Sequence, residues 1–429
     1  MKILWFSPVP LPAVLKELSL GAPYGGGWIY SLLRELARHK HLEMAVAWAS
    51  PDCKARRSFT ADGVQYYVYP EPGRFVRGGG VLRKATEQLD YLLGPVRNRR
   101  AVAEAVAVVD DYGPDLVHAF GTEFSYGLIA PLIRPPLVVW IQGLLDVYRH
   151  HYFGTMRCLE RLRYPRLLWD HHRMAAKAER EREVFRRCRY FAGRTGWDAA
   201  HQARLQPQGH YYPVQECLRP EFYAAAPWRR EQTQGLTVYT TTSGTLWKAT
   251  DVLVRAVDLL RARYPDIRLK VAGVLESRNP VARRLFRLVE EVGLCGRVEF
   301  LGQLDSAKIV LELRQARVFV LPSFIENISN SLVEAQLVGT PVVAAFAGGM
   351  TDTVTDGETG LFFQAGESTS LAWQISRVLA GDDLAGRLSS RERDVAHTRH
   401  SPVRIVDALL ETYNDILNSA RLPNHEPHR

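Results

Sequence analysis

The chain has no long hydrophobic run. Among its 429 residues no charge-free apolar stretch of eighteen or more escapes Gly and Pro breaks, so nothing in it reads as a membrane-crossing helix. Cysteine is sparse. Cys53, Cys158, Cys188, Cys217 and Cys295 stand apart, odd in number and with no pair at metal-ligand or redox spacing, which excludes a complete disulfide framework. They read as buried small apolar residues. No Asp-x-Asp metal motif occupies a plausible loop, and no internal repeat or low-complexity tract stands out. The N-terminus, MKILWFSPVP, meets Pro too soon for a signal peptide and reads as a first β-strand; the expectation is a cytoplasmic protein.

The length exceeds what one ordinary core fills, so two domains of about 200 residues each are expected. Short apolar strands alternate with helical patterns, the arrangement of doubly wound parallel sheets. In the first half, strands are expected at Lys2–Ser7, Leu42–Ala49, Val64–Tyr69, Asp115–His118, Leu137–Ile141 and Tyr190–Ala192, with helical pattern over Val81–Val109, interrupted at Gly94-Pro95. A strand ending in His118 would carry its imidazole to the carboxyl edge of the sheet, where such sheets bind ligands. Gly25-Gly26-Gly27 precedes a helical run containing Trp28, Ile29, Leu32, Leu33 and Leu36, so these glycines let backbone approach a ligand at a helix N-terminus. Tyr211–Trp228 is Pro-punctuated and aperiodic and reads as the interdomain linker. The second half begins with strand Thr237–Thr242 and the loop Ser243-Gly244-Thr245-Leu246-Trp247-Lys248. A helix Asp251–Arg263 and strands Ile267–Ala272, Val298–Leu301 and Val318–Leu321 follow.

The chain is organised around Leu321–Gly349, LPSFIENISNSLVEAQLVGTPVVAAFAGG, which reads as a strand end, a polar loop, a short helix, a strand and a Gly-Gly turn. Glu326 lies in the loop and Glu334 one turn into the helix, with seven residues between them, so both can face one small polar ligand. Asn327, Ser329, Asn330 and Ser331 place short polar groups at the helix N-terminus, which favours an anion such as phosphate. Ser331 followed by Glu334 also fits a capping box, in which Glu334 would only satisfy backbone donors.

The order Glu, seven residues, Glu, Gly-x-Pro-Val-Val, Gly348-Gly349 and then Asp356-Gly357-x-Thr359-Gly360 resembles the donor-binding signature of the retaining family 4 glycosyltransferases. That resemblance implies the GT-B fold, two Rossmann-like domains facing across a crevice. Residues 1–213 would form an acceptor-binding domain, joined by a C-terminal helix over 402–420 packing back on it. Residues 214–400 would form the nucleotide-sugar donor-binding domain, and 421–429 a disordered tail. It implies that Glu326 touches donor-sugar hydroxyls and that Glu334 holds the ribose. Ser329, Asn330, Ser331, Gly244, Thr245, Gly26 and Gly27 would line the donor, His118 of the Pro114-Asp115-x-x-His118 stretch would lie near its sugar, and Lys248 would neutralise the diphosphate. The family's loop pairs an Arg with this Lys. Here Thr245 stands near the place of that Arg and Ala249 replaces a Gly, while Asp352 stands where the family usually has Glu. Arg194 and Arg219 are candidates to replace the missing cation, and Gln142 could face an acceptor.

The implied activity is transfer of a sugar from a nucleotide-diphosphate sugar to a carbohydrate or lipid-linked acceptor, with no metal or other cofactor expected. Three other readings stay open at this level: a GT-B phosphorylase, a GT-B sugar-nucleotide epimerase, and a catalytically silent nucleotide-sugar-binding or membrane scaffold subunit. The net charge of +9, from 55 Lys and Arg against 46 Asp and Glu, is concentrated in Arg74–Arg100 and Arg149–Arg189. Both stretches interleave Arg with Leu, Tyr, Trp and Phe, a pattern suited to an anionic membrane surface on the inner face of the membrane. No ordered nucleic-acid motif accompanies the charge, so nucleic acid is not expected as a partner.

Overall fold

The computed structural model describes residues 1–21, 27–50, 52–71, 94–276 and 278–421, with side chains of 94–98 left aside. Gly26, most of the basic stretch Arg74–Arg100, the start of the helical pattern at Val81 and the tail beyond Arg421 lie outside the described residues.

Two sheets, each covered by helices on both faces, make up the fold. The first contains β1 (Lys2–Phe6), β2 (Glu43–Ser50), β3 (Arg57–Ala61), β4 (Val64–Pro70), β5 (Leu116–Phe120), β6 (Leu137–Trp140), β7 (Tyr190–Gly193) and β8 (His210–Pro213). Its order is β3-β4-β2-β1-β5-β6-β7-β8, and only β3 runs antiparallel to its neighbour. The second contains β9 (Leu236–Thr242), β10 (Ile267–Gly273), β11 (Val298–Gly302), β12 (Val318–Leu321), β13 (Val342–Phe346) and β14 (Leu361–Gln364), in the order β11-β10-β9-β12-β13-β14. Strands such as Leu116–Phe120 and Val318–Leu321 are buried along their whole length, as parallel strands sandwiched between helices must be.

Sequence order reverses between β1 and β5 in one sheet and between β9 and β12 in the other. Loops leaving the carboxyl ends of those strands therefore diverge and leave a crevice. The loop 243–248 follows β9 and the loop 322–329 follows β12, so both border the second domain's crevice. The Pro402–Arg421 helix returns to the first sheet, where Ile405, Val406, Leu409, Tyr413 and Ile416 join a core with Trp5, Ile29 and Leu32.

Three local expectations change. Pro-containing His210–Pro213 pairs with β7 as an edge strand, a position that tolerates proline, so the linker begins only after it. β3 and a long helix, Asp382–Arg399, were not anticipated. The Gly94–Tyr112 helix covers the later part of the expected helical pattern, and the part before the interruption expected at Gly94-Pro95 lies outside the described residues. Cys188 and Cys217 are buried, but Cys158 and Cys295 are exposed, so burial does not hold for all five.

Candidate active site

Residues from both domains line one cavity of about 840 Å³, among them Gly27, Arg219, Ser243, Asn330, Ser331 and Glu334. The Asn330–Val338 helix starts at this cavity with Ser329 as its N-cap residue, and no side chain caps it. Ser329 and Ser331 hydroxyls bond each other at 2.9 Å. The free first-turn N–H groups and the positive end of the helix therefore remain available to an anion. Gly339, with φ of 83°, ends the helix in the left-handed conformation.

Glu334 is not a capping residue. Its Oε1 accepts from Arg219 Nη2 at 2.7 Å, and with Ser329 as the N-cap residue Glu334 lies two residues past the position a capping box uses. Burial pushes the Glu334 carboxyl above its ordinary range, and the Arg219 guanidinium pulls it back. Glu326 makes a parallel arrangement: Lys248 Nζ lies 2.6 Å from its Oε1. Both carboxylates singled out by the sequence are thus mostly buried, each held by a cation from another segment. A buried carboxylate without such a partner would be costly.

The scaffold under these pairs is specific. Lys248 closes a one-turn helix, Leu246–Lys248, and Ala249 then takes a left-handed conformation, φ 49°, where the resembling family places glycine. Gly244 also has positive φ, 69°, and a Cβ there would approach the Val274 carbonyl to 2.6 Å. Thr245 bonds Ser243 at 3.1 Å; its hydroxyl supplies no positive charge. Gly348, φ 57°, packs so closely on the Glu326 carbonyl that any Cβ would collide with it, and Gly349 N–H donates to the same carbonyl at 3.0 Å. The Gly-Gly turn therefore holds the Glu326 loop in place. Gly27 opens the Gly27–Leu36 helix, and its missing Cβ leaves room for Arg219, whose Cδ would lie 2.9 Å from that atom.

Asn327 is an interdomain residue, a role that the sequence did not reveal. Its Oδ1 accepts from Thr195 Oγ1 at 2.8 Å and its Nδ2 donates to Asp198 at 2.8 Å. Its backbone N–H donates to the Tyr148 hydroxyl at 3.2 Å. Thr195 and Asp198 cap the Gly196–Leu205 helix reciprocally, so the Thr-Gly-Trp-Asp pattern that predicts a capping box was the available signal. Asp352 accepts from the backbone N–H of Gly196, a second link between the same helix and the second domain.

Three expected positions move. His118 is fully buried, 0% exposed, because β5 continues two residues beyond it. Its Nδ1 lies 2.6 Å from the Tyr413 hydroxyl, and its ring stacks on Phe120 and Trp140. Burial pushes its pKa down to about 3, so it is a neutral core residue set back from the crevice. Arg194 is also committed: its guanidinium pairs with buried Glu216 at 2.7 Å and donates to the Gln142 carbonyl at 2.7 Å. β7 is followed by one more strand, so Arg194 does not mark the end of the first sheet. Gln142 contributes its backbone to this seam, accepting from Arg194 and, at 3.4 Å, from Asn327. Of the two arginine candidates only Arg219 reaches the cavity.

Residues 231–395 match the family model described as glycosyl transferases group 1. The D-inositol 3-phosphate glycosyltransferase of Mycolicibacterium smegmatis is 34% identical over 182 residues, which are 42% of this chain and 40% of that protein. The enzyme of the same name from Stackebrandtia nassauensis is 35% identical over 188 residues, 42% of each chain. The match thus spans less than half the length of these relatives. Likeness of shape extends further. Sucrose-phosphate synthase from Thermosynechococcus elongatus superposes with a TM-score of 0.74 at 18% identity, covering 97% of this chain and 99% of that one. Anabaena Alr3699/HepE, solved in complex with UDP and glucose, gives 0.65 at 19% identity, with 96% and 99% covered. The two-domain parallel-sheet fold is therefore GT-B.

Proposed function

We propose that the protein is a retaining, metal-independent glycosyltransferase that moves a sugar from a nucleoside diphosphate to an acceptor hydroxyl, in the synthesis of a polysaccharide, glycolipid or other glycoconjugate. The observation that carries this reading is the pair of ion pairs at the crevice, Lys248 with Glu326 and Arg219 with Glu334. Each joins a carboxylate suited to hydroxyl groups with a cation suited to phosphate. A nucleotide sugar offers both kinds of group, so it can replace each internal pair with two new contacts. Glu334 would take the ribose hydroxyls and Glu326 the sugar hydroxyls. Lys248 and Arg219 would turn to the diphosphate together with the N-termini of the Gly27–Leu36 and Asn330–Val338 helices. The group 1 match over residues 231–395 supports the donor assignment.

In the reaction the bond between the anomeric carbon and the diphosphate oxygen breaks, and a bond to the acceptor oxygen forms. The acceptor proton passes to the departing phosphate. Negative charge grows on the leaving group, so the cations and helix termini act where the transition state differs most from the ground state. No side chain is assigned as a nucleophile. HepE was solved with UDP and with UDP-glucose, which makes uridine diphosphate the first donor class to test.

Thermal unfolding with UDP, GDP and ADP is the direct test, because a ligand of the native state raises its melting temperature by mass action. One nucleoside diphosphate should raise it. The corresponding nucleotide sugar should then give a product with the donor's anomeric configuration, and a chelator should not slow its formation. No shift with any of the three would end the donor assignment; an inverted product would end the retaining one.

A further inference from the structure

Within the basic stretch Arg149–Arg189, two segments behave differently. Toward the C-terminus of the Pro165–Arg187 helix the arginines are neutralised: Arg182 pairs with Asp146 and Glu179, Arg186 with Glu179 and Glu183, and Arg187 with Glu183. At the start of the stretch Arg149 also pairs with Asp146, at 3.0 Å, but from Arg157 to Arg166 the arginines are not neutralised. Arg157 and Arg163 are exposed and have no ion pair among the described residues, and Arg166 meets Asp170 only at 3.8 Å. The one carboxylate between them, Glu160, is taken by Arg284 at 2.7 Å.

The same short segment exposes its leucines. Leu159 is 81% exposed, Leu162 70% and Leu168 39%. Leu159 and Leu162 are three apart around the one-turn Cys158–Arg161 helix, the spacing that puts two side chains on one side. Other large exposed apolar residues, such as Leu259, Phe346, Trp373 and Val403, come singly in sequence, which is ordinary for a protein surface. Exposed leucine costs free energy in water, and unneutralised arginine beside it selects for an anionic surface that also offers hydrocarbon. No helix among the described residues is long and apolar enough to cross a membrane.

We propose that residues 157–168 form a docking surface for an anionic lipid bilayer, with Leu159 and Leu162 entering the headgroup region and Arg157 and Arg163 meeting lipid phosphates. The segment is held firmly for this purpose. Arg284 joins Glu160, Asp251 and Thr155 within 3.1 Å, and Arg161 lies 4.2 Å over the Phe153 ring. The surface also abuts the crevice: Arg166 and Leu167 line a cavity of about 400 Å³ with Tyr152 of the first domain and Trp247 of the second. An acceptor headgroup held in the bilayer would enter there without leaving the membrane. That last consequence rests on the proposed transfer reaction; the docking surface does not.

The test is co-sedimentation of the full chain with vesicles of neutral phosphatidylcholine and with vesicles containing about one-third phosphatidylglycerol. Binding should require the anionic lipid and weaken with salt. The charge-neutral double variant Leu159→Asn/Leu162→Asn should bind about tenfold or more weakly, while Arg157→Gln/Arg163→Gln should flatten the salt dependence. Both should keep the wild-type melting temperature, since the altered side chains are exposed. Binding that survives the leucine changes would mean diffuse charge adsorption and overturn the proposal. So would equal binding to neutral vesicles, no binding at all, or a leucine-dependent dimer in ultracentrifugation without vesicle binding. If vesicle binding follows expectation but sugar transfer is absent, the surface stands and only acceptor delivery falls.

Discussion

Arg219 Nη2 lies 2.7 Å from Glu334 Oε1, joining the segment between the two sheets to the helix that begins at the crevice. The same side chain packs its aliphatic stem beside Gly27 and its guanidinium over the Phe222 ring at 4.9 Å. The interdomain segment thus reaches both walls of the cavity through one side chain. Thr245 supplies no cation in its loop, and under the proposed function Arg219, which lines the cavity, would supply one.

If Arg219 moves to the diphosphate, Arg219→Ala should weaken a nucleoside diphosphate more than the matching monophosphate. A charge-assisted hydrogen bond of about 1.5 to 3 kcal/mol predicts a selective loss of roughly tenfold or more. Calorimetric titration with both ligands reads the difference. Equal losses for the two would confine Arg219 to holding Glu334.

Glu326 and Lys248 should separate in kinetics although they touch. Glu326→Ala should abolish transfer while binding of the nucleoside diphosphate persists, because the carboxylate is assigned to the sugar. Lys248→Ala should lower kcat/KM by about 2 to 4 kcal/mol of transition-state stabilisation. Loss of nucleotide binding in Glu326→Ala, with the fold intact by circular dichroism, would contradict the division of roles.

Gly348→Ala should be worse than its size suggests. The added Cβ collides with the Glu326 carbonyl, and the backbone already has φ of 57°. A cost of about 1 to 3 kcal/mol in stability is expected from backbone strain alone, accompanied by loss of activity as Glu326 shifts. Denaturant unfolding and turnover measured on one preparation check both. Unchanged stability would show that the loop relaxes without penalty.

His118 gives an acid-sensitivity prediction. In the unfolded chain its imidazole takes a proton below an ordinary value near 6.5, whereas in the fold burial delays protonation to about 3. Falling pH through that window therefore favours the unfolded chain, and the neutral histidine's contribution is fully present only above it. The slope approaches about 1.4 kcal/mol per pH unit for one proton. His118→Phe should be less steeply destabilised between pH 6.5 and 4 than wild type, although it starts lower because the Tyr413 hydroxyl loses a partner. Urea midpoints across that range decide it, and parallel slopes would refute the assignment.

Much of the second domain was legible because its information is local. Alternating apolar strands, a polar loop before a helix and the glycines at Gly348 and Gly349 fix backbone shape through residues close in sequence. Glu326 and Glu334 were readable as two carboxylates near one helix start for the same reason. β3 and β8 escaped because one is a short antiparallel strand and the other contains proline, signals that a linker shares. The capping-box alternative for Glu334 could not be removed from sequence, since Arg219, which decides it, is more than a hundred residues away.

By itself, the sequence determined two doubly wound units, the crevice loops and a helix start flanked by two carboxylates, since hydrophobic period and turn chemistry act over a few residues. Only the tertiary structure decided which cations meet those carboxylates, that Arg194 is spent on Glu216 while Arg219 faces the cavity, and that Asn327 clasps the first domain. It alone placed His118 in the core. A strand buried on both faces gives no sequence sign of which side a residue takes, and Tyr413, which bonds that histidine, lies 295 residues further along the chain.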